Sequence, residues 1–370
     1  VRLQLIARGV VALGALAALA APARAEQADA TATMRVYADD DHVTVVSPAA
    51  SANASLGAQT RVALDVVVDV VSAASVDVLT SASPGPVRER RVESGVVLTR
   101  RLPWGAATTV ALGARGSHER DYLALGAHVG ARAELAERNT TVEVRYEVER
   151  DAVGSVVDAA FARRRVGHRL SVTMSQLLDD RTVLDVIGDG TIATGYHASP
   201  YRRVALERLG WPVPLYVDEV TPRARRSVAI AARVRRQVAA TWFATSTYRF
   251  VVDDWALSSH TATLELRHPL GARFLVGAAV RGYVQGGAAF YRGAYVLDGG
   301  APPPLRTRDR TLGPMRDVAA TLTVDRALDA DARWHLVLAG GVLAAWFLDN
   351  PAQASRRAVT STLTLAASLP

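Results

Sequence analysis

The chain has no cysteine and no lysine, and only 6% of its residues are aromatic. Without cysteine it has no disulfide, no thiolate nucleophile and no thiolate zinc site. Without lysine all 43 basic residues are arginine. They are spread along the whole chain and not gathered on one element, so they do not form the footprint of a nucleic-acid surface. Beyond the first 25 residues no apolar run reaches helix-spanning length without Arg, Asp or Glu, which excludes a helical membrane protein.

The first 25 residues are the exception. Arg2 and Arg8 flank an apolar stretch over residues 10–21, Pro22 ends it, and Ala23-Arg24-Ala25 has the form of an export cleavage site. Residues 1–25 are therefore expected to be a signal peptide. Its removal takes away three Arg and no acid, lowering the formal charge from +7 to +4.

What the chain does have is a period of two, repeated many times. Over residues 61–70, Val62, Leu64, Val66, Val68 and Val70 share one face, with Asp65 and Asp69 on the other. Over residues 141–149, Val142, Val144, Tyr146 and Val148 alternate with Glu143, Arg145, Glu147 and Glu149. Side chains alternate across a strand, so each segment is a ribbon with one oily and one charged face; wound as helices, the charges would spread all round. The pattern predicts strands over 59–71, 87–102, 106–117, 122–135, 140–150, 165–177, 182–190, 224–236, 241–250, 255–267, 273–285, 317–326, 332–347 and 357–369.

The connections alternate as well. Short ones at 103–105, 136–139, 178–181, 237–240, 268–272 and 327–331 interleave with longer ones, of which 72–86, 151–164, 191–223 and 286–316 are the longest. Outer-membrane barrels join strands by short periplasmic turns and longer extracellular loops. The expected fold is all-β: a transmembrane antiparallel up-and-down β-barrel of about 14 strands, within roughly 12–16, over residues 59–370, exported to the cell outer membrane. Residues 26–58 form an N-terminal extension, open between a periplasmic tail, a plug in the lumen and an added strand. Trp104, Tyr122, Trp242, Phe250, Trp255, Trp334 and Trp346 fall near expected strand ends, where such barrels carry aromatic girdles.

In this fold the oily faces meet outer-membrane lipid and the charged faces meet the lumen. The lumen-facing candidates are Asp65, Asp69, Glu143, Arg145, Glu147, Arg233, Arg235, Glu265 and Arg267. Such charges either line an aqueous pore and set its ion preference or pair across strands and hold a closed interior. There is no Gly-x-Ser-x-Gly, no phosphate-binding glycine loop and no histidine pair at zinc spacing, so no enzymatic activity, cofactor or metal is expected. The run Asp39-Asp40-Asp41 lacks the glycine and distal glutamate of a calcium loop and reads as a solvated turn.

Several short motifs carry a family resemblance. Tyr37-Ala38-Asp39-Asp40-Asp41, Val45-Val46-Ser47-Pro48, residues 68–75, residues 195–201 and the acidic-Pro-Arg segment 219–226 together resemble the family called domain of unknown function 3570. That family's Asp-Pro-Tyr stands here as Ser199-Pro200-Tyr201, and its Ser-Gly-Ala-Ser as Ser72-Ala73-Ala74-Ser75. The resemblance implies an outer-membrane barrel of a Gram-negative bacterium, with no activity assigned. Ser72, Ser75, Tyr196, Pro200 and Tyr201 fall in expected extracellular loops, where they are expected to cap or constrict the mouth. The function expected is passive or gated transport of a small solute; the alternative is a non-conducting structural or assembly barrel whose loops bind a partner.

Overall fold

The computed structural model describes residues 27–73, 87–103, 107–208, 210–297, 300–350 and 353–369; the expected signal peptide lies outside them. Sixteen antiparallel strands close into one barrel. They are β1 (Ala28–Asp39), β2 (Val43–Ser55), β3 (Thr60–Ala73), β4 (Val87–Arg101), β5 (Thr109–His118), β6 (Tyr122–Leu135), β7 (Thr140–Val153), β8 (Arg163–Asp179), β9 (Thr182–Gly195), β12 (Ala224–Ala239), β13 (Trp242–Asp253), β14 (Ser258–Leu270), β15 (Phe274–Gln285), β17 (Met315–Ala327), β18 (Trp334–Phe347) and β19 (Ser355–Leu369). Each pairs with its neighbour in the chain, and β1 pairs with β19 to close the ring. Three short strands, β10 (Arg203–Arg208), β11 (Leu215–Asp218) and β16 (Tyr295–Leu297), form a separate sheet in the order β11-β10-β16.

All fourteen expected strands are present, but the barrel has 16, not about 14. The two additional strands come from the extension before residue 59: of the three readings left open for it, the added strand is realised, twice over. β1 and β2 are easy to miss because their outward faces are mostly small: Ala30, Ala32 and Ala38 on β1, and Ala50, Ala52 and Ala54 on β2. Alanine is a weak strand former, and Pro48 in the middle of β2 argues against a strand. The β2–β3 ladder steps from Val46↔Val70 to Ala49↔Val67 and omits the Pro48 position, where the missing N–H leaves one bond unmade.

The two ends differ. The start of β1, the end of β19 and the connections 56–59, 102–108, 136–139, 180–181, 240–241, 271–273 and 328–333 lie at a short-turn end; the connections 196–223 and 286–314 lie at the other. Barrel strands run from 10 to 17 residues, enough to cross a bilayer when tilted. No helix among the described residues is long and apolar enough to cross a membrane. Large apolar side chains stand exposed on the outer wall, among them Leu98, Leu112, Leu125, Leu170, Ile230, Leu264, Val280, Leu322, Leu338 and Val359. Such a belt would aggregate in water and is stable against lipid.

Trp242, Phe250, Trp334 and Trp346 share this outward face, and Trp242 stacks on His268 at 4.5 Å. Tyr122 instead shares the inward face of β6 with Ala124 and His128. Trp255 is 4% exposed and belongs to the structure over the mouth. Trp104 lies outside the described residues.

Candidate functional site: the lumen and its outer lid

Register places all nine lumen-facing candidates on the inner wall. Asp69 lies opposite Arg91 and pairs with it at 2.7 Å. Asp65 faces Gly95, where a Cβ would sit 2.6 Å from the carboxylate; only glycine leaves it room. Glu147 takes Arg115 at 2.8 Å and Arg145 at 3.3 Å, while Glu143 lies opposite Arg132 and Thr173. Further round the ring, Arg233 and Arg235 on β12 both reach Asp185 on β9, at 2.7 and 3.0 Å. Glu265 and Arg267 pair with each other on β14. These last four share one cavity; Asp65 and Asp69 on β3 lie on the opposite wall, and Glu143, Arg145 and Glu147 on β7 lie on the wall between.

Asp185, Asp189, Arg249, Arg281 and Asp317 were not singled out in the sequence. Arg249 pairs with Asp189 at 2.9 Å and Arg281 with Asp317 at 2.5 Å. A signal existed: Asp185, Ile187 and Asp189 alternate on one face of β9, but the glycines at 188 and 190 blur the outward face that would have confirmed it.

The pairs are lopsided. A carboxylate is short and lies against the wall, while a guanidinium on its longer stem reaches over it. The Asp185 side chain is 0% exposed, and its partners Arg233 and Arg235 are 41% and 50% exposed. Asp317 is 7% exposed against 37% for Arg281. The lumen therefore sees guanidinium along these walls.

The mouth at the long-loop end carries a folded lid made from the two longest loops. β10 and β11 come from loop 196–223 and β16 from loop 286–314. Val204, Leu206 and Tyr295 form its core, with Val217 and Leu297 packed on it. Val220 and Arg306 exchange backbone bonds at 3.0 and 2.8 Å, joining the loops again. Glu219 is buried at the centre: it accepts from the Ser199 N–H at 2.7 Å, from Arg202 at 3.3 Å and from the Thr307 hydroxyl.

Other elements hold the lid down. Buried Arg310 pairs with Asp41 of the β1–β2 turn and lies over the Phe347 ring. The Tyr291 hydroxyl donates to the Asp349 carbonyl at 3.0 Å, and burial with nearby Asp349 pushes that phenol up to about 12. Phe290 packs edge-on against Trp255 at 5.1 Å. Inward-facing Gln285 donates to the carbonyls of Thr311 and Gly313, so loop 286–314 folds inward over the lumen.

The loop motif belongs to this assembly. Tyr196 packs edge-on against Phe161 at 5.4 Å, and the Tyr201 hydroxyl accepts from the Val156 N–H at 2.9 Å. Pro200 lies between Ser199 and Tyr201, whose backbone N–H donates to the Ser199 hydroxyl. Ser72, expected in a loop, is instead the penultimate residue of β3, paired with Thr44 because the β2–β3 ladder runs on to Val43↔Ala73, and Ser75 lies outside the described residues. Asp40 and Asp41 do more than face solvent: the Asp40 carboxylate accepts from the Arg357 N–H at 2.8 Å, and Asp41 holds Arg310. On the outer rim Glu89, Glu119 and Asp121 bring carboxylate oxygens within 4.8 Å of one another.

The surroundings of His197 lead us to expect a pH-dependent lid. The imidazole stands edge-on to Trp255 at 5.6 Å, and its Nε2 is buried without a hydrogen-bond partner among the described residues. Burial, then Arg165 and Arg225, hold its pKa below the ordinary imidazole range; a hydrogen bond with the Ala193 backbone and the charge of Asp254 oppose them. As pH falls below about 6.5 the open form takes up the proton first, so the closed lid loses stability until pH passes the lowered pKa. Protease sensitivity of loop 196–223 is expected to rise between about pH 7.5 and 5, and His197→Gln to flatten that response. An equal pH response in the variant would assign it to other groups.

Comparison with known proteins follows the same lines. A family model described as protein of unknown function (DUF3570) matches residues 75–340. No curated protein is significantly similar in sequence. Among solved structures, a bacterial polysaccharide outer membrane secretin has a TM-score of 0.53 at 7% identity, covering 93% of this chain and 98% of that one. The siderophore receptors PirA of Pseudomonas aeruginosa and of Acinetobacter baumannii give TM-scores of 0.46 and 0.48 at 12% and 10% identity. Each covers 86% of this chain, and the chain spans about half their length, 56% and 53%. The likeness is one of fold, that of outer-membrane barrels.

Proposed function

The chain belongs to the DUF3570 family, whose description assigns no activity, and from its own lumen we propose that it is a transport barrel passing a small solute across the outer membrane, passively or under control of its lid. One observation carries this reading: the inward side chains of Arg91, Arg115, Arg145, Arg233, Arg235 and Arg267 remain 41–57% exposed on the inner wall. A side-chain-filled interior would bury them. Barrels of 16–18 strands leave an aqueous channel where eight-stranded ones are filled. Small inward residues, among them Gly95, Gly113, Gly126, Gly277 and Gly341, keep the wall thin. The short-turn end then faces the periplasm and the lid faces outward.

Reconstitution into planar bilayers tests it. Protein whose gel mobility is heat-modifiable, and hence folded, is expected to produce discrete current steps that grow when the lid is loosened. Folded protein that stays silent with lid intact and lid removed would favour the non-conducting structural barrel.

A further inference from the structure

The wall at the short-turn end combines two kinds of side chain in one cavity of about 690 Å³, lined by β8, β9 and β12 to β15. The first is the pair Arg233 and Arg235. Nε of one and Nη2 of the other donate to the two oxygens of Asp185. One buried carboxylate thus fixes two guanidiniums side by side and neutralises only one of them. The acids that line the cavity, Glu265 and Asp180, are taken by Arg267 and, at 3.5 Å, by Arg181. Each guanidinium has about five N–H donors in a planar fork, so most of theirs remain directed at the cavity.

The second kind is apolar. Leu177, Val183, Phe243 and Leu275 turn inward into the same cavity. Leu177 is 43% and Phe243 44% exposed. On the outer wall lipid covers such residues; here none of the described residues does. Exposed apolar surface beside convergent cationic donors is the composition of a ligand site of drug-like size.

We propose that this cavity is a binding station for a small organic anion: its carboxylate or phosphate head sits on the Arg233–Arg235 pair, and its apolar body lies against Phe243 and Leu177. Asp185 acts as a positioning residue that aligns the two forks, since planar bidentate pairing is what arginine offers an oxyanion. The proposal deepens the transport reading, on which it rests for an accessible lumen, by naming the class of solute.

Benzoate, benzyl alcohol and inorganic phosphate serve as probes, in equilibrium dialysis against the folded full-length protein in detergent and as blockers of chloride current in bilayers. Benzoate is expected to bind saturably, at least about tenfold tighter than either the alcohol or phosphate. The double variant Arg233→Gln with Arg235→Gln should weaken benzoate by at least about tenfold. Phe243→Ser should weaken benzoate and leave phosphate unchanged. Asp185→Asn should weaken both anions while heat-modifiable mobility shows the barrel intact; if it fails to fold, Arg233→Lys, which keeps the charge and loses the fork, replaces it.

Benzoate binding that survives the double variant, or phosphate binding as tightly as benzoate, overturns the proposal. Current without benzoate binding removes the station and leaves transport standing. Benzoate binding by protein that carries no current removes transport and supports the station.

Discussion

Leu206→Asp is expected to raise single-channel conductance several-fold while the barrel stays folded. Leu206 is fully buried in the lid, with Val204 and Tyr295 as its core neighbours. A carboxylate placed there has no cation to pair with in that cluster, and an uncompensated buried charge costs about 3–5 kcal/mol. A core this small rarely supplies more than about that much, so the three-stranded sheet comes apart. The barrel does not follow, because its sixteen ladders close without β10, β11 or β16. Heat-modifiable mobility checks the barrel, and protease cleavage in loop 196–223 checks the lid. Leu206→Met, similar in volume, should cost under about 1.5 kcal/mol and leave the current as it was. If cleavage shows the lid open and conductance is unchanged, the lid does not limit flow.

Glu219→Ala is expected to loosen both long loops together. The Glu219 side chain is 1% exposed, and its oxygens serve Ser199 and Arg202 of one loop and Thr307 of the other. Truncation leaves a buried hydroxyl and a part-buried N–H without this acceptor and strips Arg202 of one carboxylate, while Asp309 at 2.9 Å remains. The expected loss is about 3–5 kcal/mol of local stability. Glu219→Gln keeps an acceptor and loses the charge, for a smaller loss of about 1.5–3 kcal/mol. Hydrogen exchange should quicken in residues 199–202 and 307–309 in parallel. Quickening confined to one of them would mean that the loops fold independently.

The contrast between these lid residues and the barrel explains what was legible beforehand. A strand such as β7 marks both faces, with Val142, Val144, Tyr146 and Val148 outward and Glu143, Arg145, Glu147 and Glu149 inward, so its period shows in nine residues. The segregation of long loops to one end needed only the spacing of such strands. β1 and β2 were legible only as an added strand left open beside a tail and a plug, because alanine and serine mark neither face strongly, and because Pro48 reads as a break.

The lid was legible only as a place, at residues 196–201, and not as a structure. β10 and β16 pair in parallel across a separation of nearly ninety residues, and β11 has only four residues. Asp185 and its two arginines lie 48 and 50 residues apart. Each was visible as an inward charge, but nothing in the spacing says that two arginines share one acid.

The seam between β1 and β19 sets a condition on assembly. It joins Ala28 to Leu369 and runs to Asp39 opposite Ala358, with Thr33 and Thr364 bonded across a separation of 331 residues. Until the last strand is made, the first has an open edge, and in hydrocarbon every unpaired N–H and C=O on that edge is expensive. Insertion therefore cannot proceed hairpin by hairpin into bare lipid; the edges need a temporary partner or a late, concerted closure. A chain stopped short of residue 355 would lack β19 altogether and leave two open edges, so the final fifteen-residue strand decides whether the other fifteen strands can remain in a membrane at all.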